Sequence, residues 1–261
     1  MLDNGLNRNY PDFFVAEMSD EILWARLSGN FFYNLVDFDK RDFMHDYLQA
    51  IDGSNLVKSI VFYSNYSESG IDEYVNFFLS DRGRSSFFSA LGSQDVNRLS
   101  NIINQTLLNM LELSKFTIQI CQGPILNLFM NMGFTCDYRI IADNTVFHNG
   151  YKLIGGLPLA GGSFFLSQLL GRRKANELLL LRDTISAEEA LACGIVDKVV
   201  PAEQLEQAAL ETAEQIKKVD HRTLRGVKRL TGFSLKELRD YLTLETNELL
   251  KAYVQMKGQA E

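Results

Sequence analysis

The amino-acid sequence predicts an α/β fold over its first 200 residues and a helical region after them. Three observations support this prediction. Runs with the composition or two-residue periodicity of strands alternate with runs that have the periodicity of helices. After residue 201, helical patterns follow one another with little strand signal between them. Alternation of the first kind is typical of parallel strands joined by right-handed helical crossovers.

Strands are predicted where short β-branched or apolar runs are bounded by turn residues. The clearest run is VKSIVFY, and the first two strands flank Ser19-Asp20, a pair suited to a hairpin turn. The predicted strands are Phe13–Met18, Glu21–Leu27, Val57–Tyr63, Phe116–Cys121, Arg139–Ala142, Thr145–His148 and Ile195–Val200.

Helices are predicted where apolar residues recur every three or four positions. Residues 39–51 show this pattern after an acidic start, and residues 73–114 are predicted to be mostly helical with a break near Asp81–Gly83. The predicted C-terminal helices are Ala202–Lys218, His221–Leu230 and Leu235–Lys257.

Composition excludes several classes of function. The formal net charge of −7 argues against a nucleic-acid-binding protein, which needs a basic face. No stretch reaches the roughly 18 apolar residues of a membrane helix, and the N-terminus lacks the pattern of a signal peptide. The three cysteines are isolated and stand among apolar residues, which predicts reduced, buried thiols, a cytoplasmic location and no metal site.

The segment from Lys115 to Pro201 carries an ordered series of short motifs. The strand FTIQIC is followed by Gly123-Pro124, and then come CDYRIIA, PLAGGS, GRRKANELLL and ISAEEALACGIVDKVVP. In order and spacing this series resembles the crotonase (enoyl-CoA hydratase/isomerase) superfamily. Upstream, SIVFYSNYSESGID is similar to the strand and loop that end in that family's Ala/Ser-Gly-Ala-Asp turn.

The resemblance implies a crotonase-like spiral of ββα units with a helical C-terminal region. The core would occupy residues 1–200, and residues 201–261 would form a helical trimerisation region. The resemblance also implies a homotrimer or hexamer and an acyl-CoA or acyl-carrier-protein substrate. Coenzyme A or a pantetheine thioester would then be the substrate carrier, with no permanently bound cofactor.

An oxyanion hole is the central site that the resemblance implies. Its two donors would be the backbone N–H groups of Ser69 and Leu128, both directed at one thioester oxygen. Such donors stabilise an enolate, each by roughly 3–4 kcal/mol. The family usually has a run of glycines where this chain has Asn127-Leu128-Phe129, so side chains crowd the approach to the second donor. An ordinary loop turn is the alternative interpretation of Ser69-Gly70.

Two positions depart from the family pattern. The hydratases use two glutamates, and the spacing from the neighbouring motifs places Asn131 and Tyr151 at these positions. Neither residue is a carboxylate base, so simple hydration is not expected. Tyr151 and His148 are the candidates for proton transfer, with Asn131 orienting the substrate. Glu68 and Asp72 flank the Ser69 turn and are possible acid/base residues, although each of these side chains also has an ordinary structural explanation.

The early loop SGNFFYNLVDFD has no basic residue before Lys40, where family members commonly contact the CoA phosphates. This leaves open weak CoA binding or delivery of the pantetheine arm by an acyl carrier protein. The predicted function is stabilisation of a thioester enolate in decarboxylation, carbon–carbon cleavage or isomerisation. The alternatives are a conventional enoyl-CoA hydratase/isomerase with another base and a non-catalytic partner or scaffold subunit.

Overall fold

The centre of the molecule is a mixed β-sheet. The computed structural model describes residues 5–10, 13–27, 38–64, 93–232 and 235–258, and within them seven strands form this sheet. In spatial order the strands are β1 (Arg8–Tyr10), β2 (Phe14–Ser19), β3 (Ile22–Leu27), β4 (Ser59–Ser64), β5 (Phe116–Cys121), β7 (Tyr138–Ala142) and β10 (Lys198–Val200).

The first strands are antiparallel and the later ones parallel. β1 pairs with β2 and β2 with β3 in antiparallel register, and every pairing from β3 to β10 is parallel. β4 and β5 are buried along most of their length, as expected of parallel strands covered on both faces. The carboxyl ends of β4, β5 and β7 therefore lie at one edge of the sheet.

A second sheet of three short strands lies next to that edge. It contains β6 (Pro124–Leu126), β8 (Val146–His148) and β9 (Thr184–Ser186) in the order β6-β8-β9. β6 and β8 are parallel, and their register pairs Leu126 with His148. Gly123, with a φ of 74°, makes the turn between β5 and β6. This small sheet brings His148 beside the residue at which the next helix begins.

The helices pack on both sheets. They are α1 (Phe38–Gly53), α2 (Ser93–Glu112), α3 (Asn127–Gly133), α4 (Gly162–Asn176), α5 (Ala187–Ala192), α6 (Leu205–Lys217), α7 (His221–Thr231) and α8 (Leu235–Gly258). A π-helical turn, Glu177–Leu181, continues α4. α6 packs on β4, β5 and β7 of the main sheet, whereas α8 packs on α2. The C-terminal helices thus share hydrophobic cores with the rest of the chain, through Leu205 and Ala209 of α6 and Leu238 and Leu242 of α8.

The predicted α/β class is confirmed, and the predicted strands are present with ends that differ by at most three residues. β1, β6 and β9, each three residues long, were not predicted. The predicted helix over residues 73–92 lies outside the described residues. The division at residue 200 and the trimerisation role of residues 201–261 stay predictions. None of the described helices has the length and apolar character needed to span a membrane.

Candidate functional site

The short helix α3 carries two of the predicted site residues. It follows β6 directly, because Leu126 has extended backbone angles and no side chain caps the helix start. All seven of its residues are buried, and Leu128 is 3% exposed. The N–H groups in the first turn of a helix have no partner within the helix. The backbone of Leu128 therefore occupies a position suited to its predicted role as an oxyanion donor.

Asn131 is held in one orientation by the turn that precedes α4. Its side chain is completely buried, and its Nδ2 donates a hydrogen bond of 2.7 Å to the carbonyl oxygen of Leu159. A Cβ atom at Gly162 would lie 2.3 Å from the same Nδ2, so only glycine fits at this position. The Oδ1 of Asn131 has no hydrogen-bond partner. Because Nδ2 already donates to Leu159, Oδ1 is the atom of this amide that is left to accept a hydrogen bond from another group.

A second buried amide lies on the same face of α3. Asn127 is 3% exposed, and its Nδ2 has no hydrogen-bond partner. Residues four apart on a helix are neighbours on one face, so Asn127 and Asn131 lie on the same face of α3, about one turn apart. A buried polar atom without a partner costs about 1–3 kcal/mol. The pair therefore provides one donor without a partner, the Nδ2 of Asn127, and one acceptor without a partner, the Oδ1 of Asn131. Neither side chain carries a charge. Sequence reasoning missed Asn127, although its spacing from Asn131 was visible.

Tyr151 lies in the 3₁₀ turn Gly150–Lys152 and is 5% exposed. Its hydroxyl donates a hydrogen bond of 2.5 Å to the carbonyl oxygen of Leu179 in the π-helical turn. Burial raises the pKa of this phenol to about 12, with a smaller contribution from the charge of Asp183. The side chains of Tyr151 and Asn131 therefore bond to different segments of the chain. Tyr151 donates to the π-helical turn, and Asn131 donates to Leu159 in the turn before α4. The proton-transfer role of Tyr151 stays a prediction.

The neighbours of Tyr151 in the sequence are hydrogen-bonded to the π-helical turn and the residue after it. The Nδ2 of Asn149 donates to the carbonyl oxygens of Leu178 and Arg182, at 2.9 and 2.7 Å. The Nζ of Lys152 donates to those of Leu180 and Arg182. The last carbonyl groups of a helix lack partners within it. Residues 149–152 therefore supply the donors that complete the end of the π-helical turn.

His148 ends β8 and is partly exposed. Its register partner, Leu126, is the residue just before α3, so the backbone of His148 runs beside the start of that helix. Burial lowers the pKa of the imidazole, which favours the neutral ring with one donor and one acceptor nitrogen. Leu128, Asn131 and His148 are thus brought to one region of the fold.

Three predicted residues, Ser69, Glu68 and Asp72, lie outside the described residues. Within the part of the chain that the structure describes, no group of three or more His, Cys, Asp or Glu side chains could hold a metal. Cys121 and Cys136 are buried free thiols whose pKa values are raised, chiefly by burial.

Sequence reasoning also missed Glu245, which belongs to α8. Its carboxyl group is buried and accepts hydrogen bonds from the N–H of Gly161 at 3.1 and 3.4 Å. A signal in the sequence was available, because Glu245 falls on the apolar stripe of α8, three residues after Leu242 and four before Leu249. The exposed Glu248 lies off this stripe. The burial of Glu245 comes from the packing of α8 on the turn that also holds Asn131.

Comparison with known proteins identifies the family. The sequence profile described as Enoyl-CoA hydratase/isomerase matches residues 92–257, which is more than half of the chain. The chain therefore belongs to the enoyl-CoA hydratase/isomerase family, and the predicted membership of the crotonase superfamily is confirmed.

One similar curated protein is a trans-2-decenoyl-acyl-carrier-protein isomerase of Streptococcus mutans. It is 26% identical over 137 residues, which is 52% of this chain and 52% of the relative. The alignments span at most about half the length of the curated relatives that the chain matches.

Solved structures show the same fold at low sequence identity. An enoyl-CoA hydratase from Bacillus halodurans superposes with a TM-score of 0.76 at 19% identity, covering 92% of this chain and 95% of the other. An enoyl-CoA hydratase from Geobacillus kaustophilus gives a TM-score of 0.70 at 18% identity, with coverage of 92% and 89%. The predicted crotonase-like α/β fold with its helical C-terminal region is confirmed.

Proposed function

We propose that this chain binds an acyl thioester of coenzyme A or of an acyl carrier protein and stabilises its enolate. The reaction would be decarboxylation, carbon–carbon cleavage or isomerisation rather than hydration. One observation carries this proposal: Asn131, at the position where the resemblance implies a glutamate, is a buried neutral amide tied to Leu159. An amide side chain does not take up a proton near neutral pH, so it cannot activate water as a general base.

The chemistry follows from the groups around α3. The N–H of Leu128, with that of Ser69 as the predicted second donor, would hold the thioester oxygen as negative charge develops on it. The free Oδ1 of Asn131 and the free Nδ2 of Asn127 would orient a neutral polar group of the substrate. We assign proton transfer to His148, whose neutral ring can accept a proton near pH 7. This assignment takes precedence over Tyr151, because the hydroxyl of Tyr151 is already bonded to Leu179.

Isomerisation on an acyl carrier protein is the variant that the comparisons favour. The curated relative from Streptococcus mutans is named for that reaction and that carrier. Moving a double bond needs enolate stabilisation and one proton carrier, and it does not need a second acid to activate water. We therefore place acyl-carrier-protein isomerisation ahead of decarboxylation and cleavage. This order also agrees with the absence of basic residues in SGNFFYNLVDFD.

Calorimetric titration tests the proposal first. Acetyl-CoA and an acetylated acyl carrier protein are titrated separately into the wild-type chain and into Asn131→Ala. We expect one carrier to bind and Asn131→Ala to bind it about tenfold more weakly, since one hydrogen bond to the ligand is lost. Asn101→Ala, an exposed amide on α2, is the matched control. The bound carrier is then loaded with a trans-2-decenoyl chain, and double-bond migration is followed by loss of the conjugated thioester absorbance.

Two results would favour other functions. Water addition to an enoyl thioester would indicate a conventional hydratase whose base is Glu68 or Asp72. No binding of either carrier at millimolar concentration would favour a non-catalytic partner or scaffold subunit. Burial of Leu128, Phe129 and Tyr151 in the hydrophobic core supports the scaffold candidate, because these side chains offer a substrate little exposed surface.

We also propose that the chain assembles as a homotrimer or hexamer. Leu153, Leu180 and Leu181 are 64%, 68% and 78% exposed, and Lys152 ties their two segments together. Exposed leucines clustered in this way are typical of surfaces that bind another protein. Light scattering after size exclusion gives the mass, and a monomer at micromolar concentration would refute this proposal. The predicted cytoplasmic location stays a prediction.

A further inference from the structure

The turn before α4 has an unusual backbone. Ala160 and Gly161 have φ values of 58° and 69°, so two consecutive residues are left-handed and one of them carries a side chain. L-residues rarely adopt this conformation, and it persists where surrounding groups fix it. The turn lies between Asn131 on one side and α8 on the other. The groups that fix it therefore also fix the surroundings of Asn131.

Glu245 is the group on the α8 side. The residue is 7% exposed, and its two carboxyl oxygens accept hydrogen bonds from the N–H of Gly161 at 3.1 and 3.4 Å. The Ala160 N–H and the hydroxyl of Tyr241 lie near the same carboxyl group. One backbone N–H thus holds both carboxyl oxygens beside the left-handed turn.

Asn131 holds the same turn from the opposite side. The carbonyl oxygen of Leu159 accepts hydrogen bonds from the Nδ2 of Asn131 at 2.7 Å and from the N–H of Gly162 at 3.4 Å. The N–H of Gly161, the residue before Gly162, donates to Glu245. The turn Leu159–Gly162 therefore joins the buried carboxyl of α8 to the side-chain amide of α3.

We propose that Glu245 is a positioning residue for Asn131. By accepting the N–H of Gly161, it fixes the turn whose Leu159 carbonyl accepts a hydrogen bond from the Nδ2 of Asn131. Oδ1 is then the atom of the Asn131 amide that is left to accept a hydrogen bond from a ligand. The relevance to substrate rests on the proposed function, but the link between Glu245 and Asn131 does not.

Nuclear magnetic resonance of the side-chain amide of Asn131 tests the link directly, with its signal assigned by its loss in Asn131→Ala. Glu245→Met keeps the approximate length of the side chain but removes the acceptor. We expect the Asn131 signal to shift and its hydrogen exchange to accelerate about tenfold, as loss of a fixed acceptor predicts. Glu245→Gln keeps an acceptor oxygen and is expected to restore exchange to within about twofold of wild type. Glu248→Met, on an exposed part of α8, is the control.

An unchanged Asn131 signal in Glu245→Met would overturn the inference. If Glu245→Met does not fold, Glu245→Asp is used instead, because aspartate is one methylene shorter and moves the carboxyl away from the Gly161 N–H. Faster hydrogen exchange at Asn131 is then expected, and an unchanged rate would overturn the inference.

Titration with the carrier separates the two proposals. If Asn131→Ala weakens thioester binding but Glu245→Met changes neither binding nor the Asn131 signal, positioning by Glu245 is refuted and the proposed function stands. If Glu245→Met moves the Asn131 signal but no thioester binds, the link is supported and the proposed function fails.

Discussion

Replacement of Glu245 by glutamine should remove the part of the pH dependence of the free energy of unfolding that comes from ionisation of Glu245. An ordinary glutamate has a pKa of 4.5, and burial raises that of Glu245 to about 8, against the opposing effect of its hydrogen-bond donors. Below about pH 4.5 the carboxyl is neutral in both the folded and the unfolded chain. Between these values only the folded chain holds the proton, so the stability that this group contributes is lost as the pH rises to about 8.

The magnitude follows from the two pKa values. Each pKa unit corresponds to about 1.4 kcal/mol, so full ionisation of Glu245 lowers the free energy of unfolding by about 5 kcal/mol. Among the described residues, Tyr241 is the titratable group that contacts the carboxyl, and its own pKa is raised chiefly by burial. No change in the charge of Tyr241 is therefore expected below pH 9.

Urea unfolding at pH 5, 7 and 9 measures the effect. Glutamine is uncharged, so Glu245→Gln should match the wild type within about 1 kcal/mol at pH 5 and exceed its stability by several kcal/mol at pH 9. Other groups titrate equally in both chains and cancel in the difference. Glu248→Gln, which removes an exposed charge, should follow the wild-type curve throughout. The free energy of unfolding of Glu245→Gln could instead change with pH in parallel with that of the wild type from pH 5 to 9. That result would show that the pKa of Glu245 is not raised in the folded chain and would refute the reasoning.

Two further substitutions have expected outcomes. Tyr151→Phe removes the 2.5 Å hydrogen bond to Leu179 and leaves a buried carbonyl without its donor, so the free energy of unfolding should fall by about 1–3 kcal/mol in urea titrations; an unchanged value would argue that water replaces the hydroxyl. Gly162→Ala places a Cβ 2.3 Å from the Nδ2 of Asn131 and should weaken thioester binding about tenfold in calorimetry. Gly226→Ala, which meets no atom within 4 Å, is its control, and equal affinities in the two variants would contradict the prediction.

The sequence predicted the fold well because its strands are buried on both faces. Val61 and Ile118, which pair across β4 and β5, have no exposed surface, and such runs of β-branched residues are visible without a structure. The short strands β6 and β9 leave no comparable signal. They form because the chain on each side of β8 is already held in place.

The candidate site was predicted in part. Leu128 and Asn131 were placed by their spacing from Gly123 and Asp137, and the structure puts both residues on one short helix; their roles stay predictions. The partners of Asn131 and Tyr151 could not be predicted. The carbonyls of Leu159 and Leu179 each lie 28 residues away along the chain, and backbone acceptors carry no sequence signature. Glu245 lies on the apolar stripe of α8, which indicates burial, but its partner Gly161, 84 residues away along the chain, could not be predicted from that stripe.

The contact between Glu245 and Gly161 spans 84 residues of sequence, and this separation has a consequence for the order in which the protein matures. During synthesis, the strands of both sheets and α4 leave the ribosome before α8 exists. Domains begin to fold as they emerge, at about 5–20 residues per second. For several seconds a nascent chain would therefore have most of its architecture but no acceptor for the N–H of Gly161. The last long helix would then convert a folded scaffold into one able to hold its ligand.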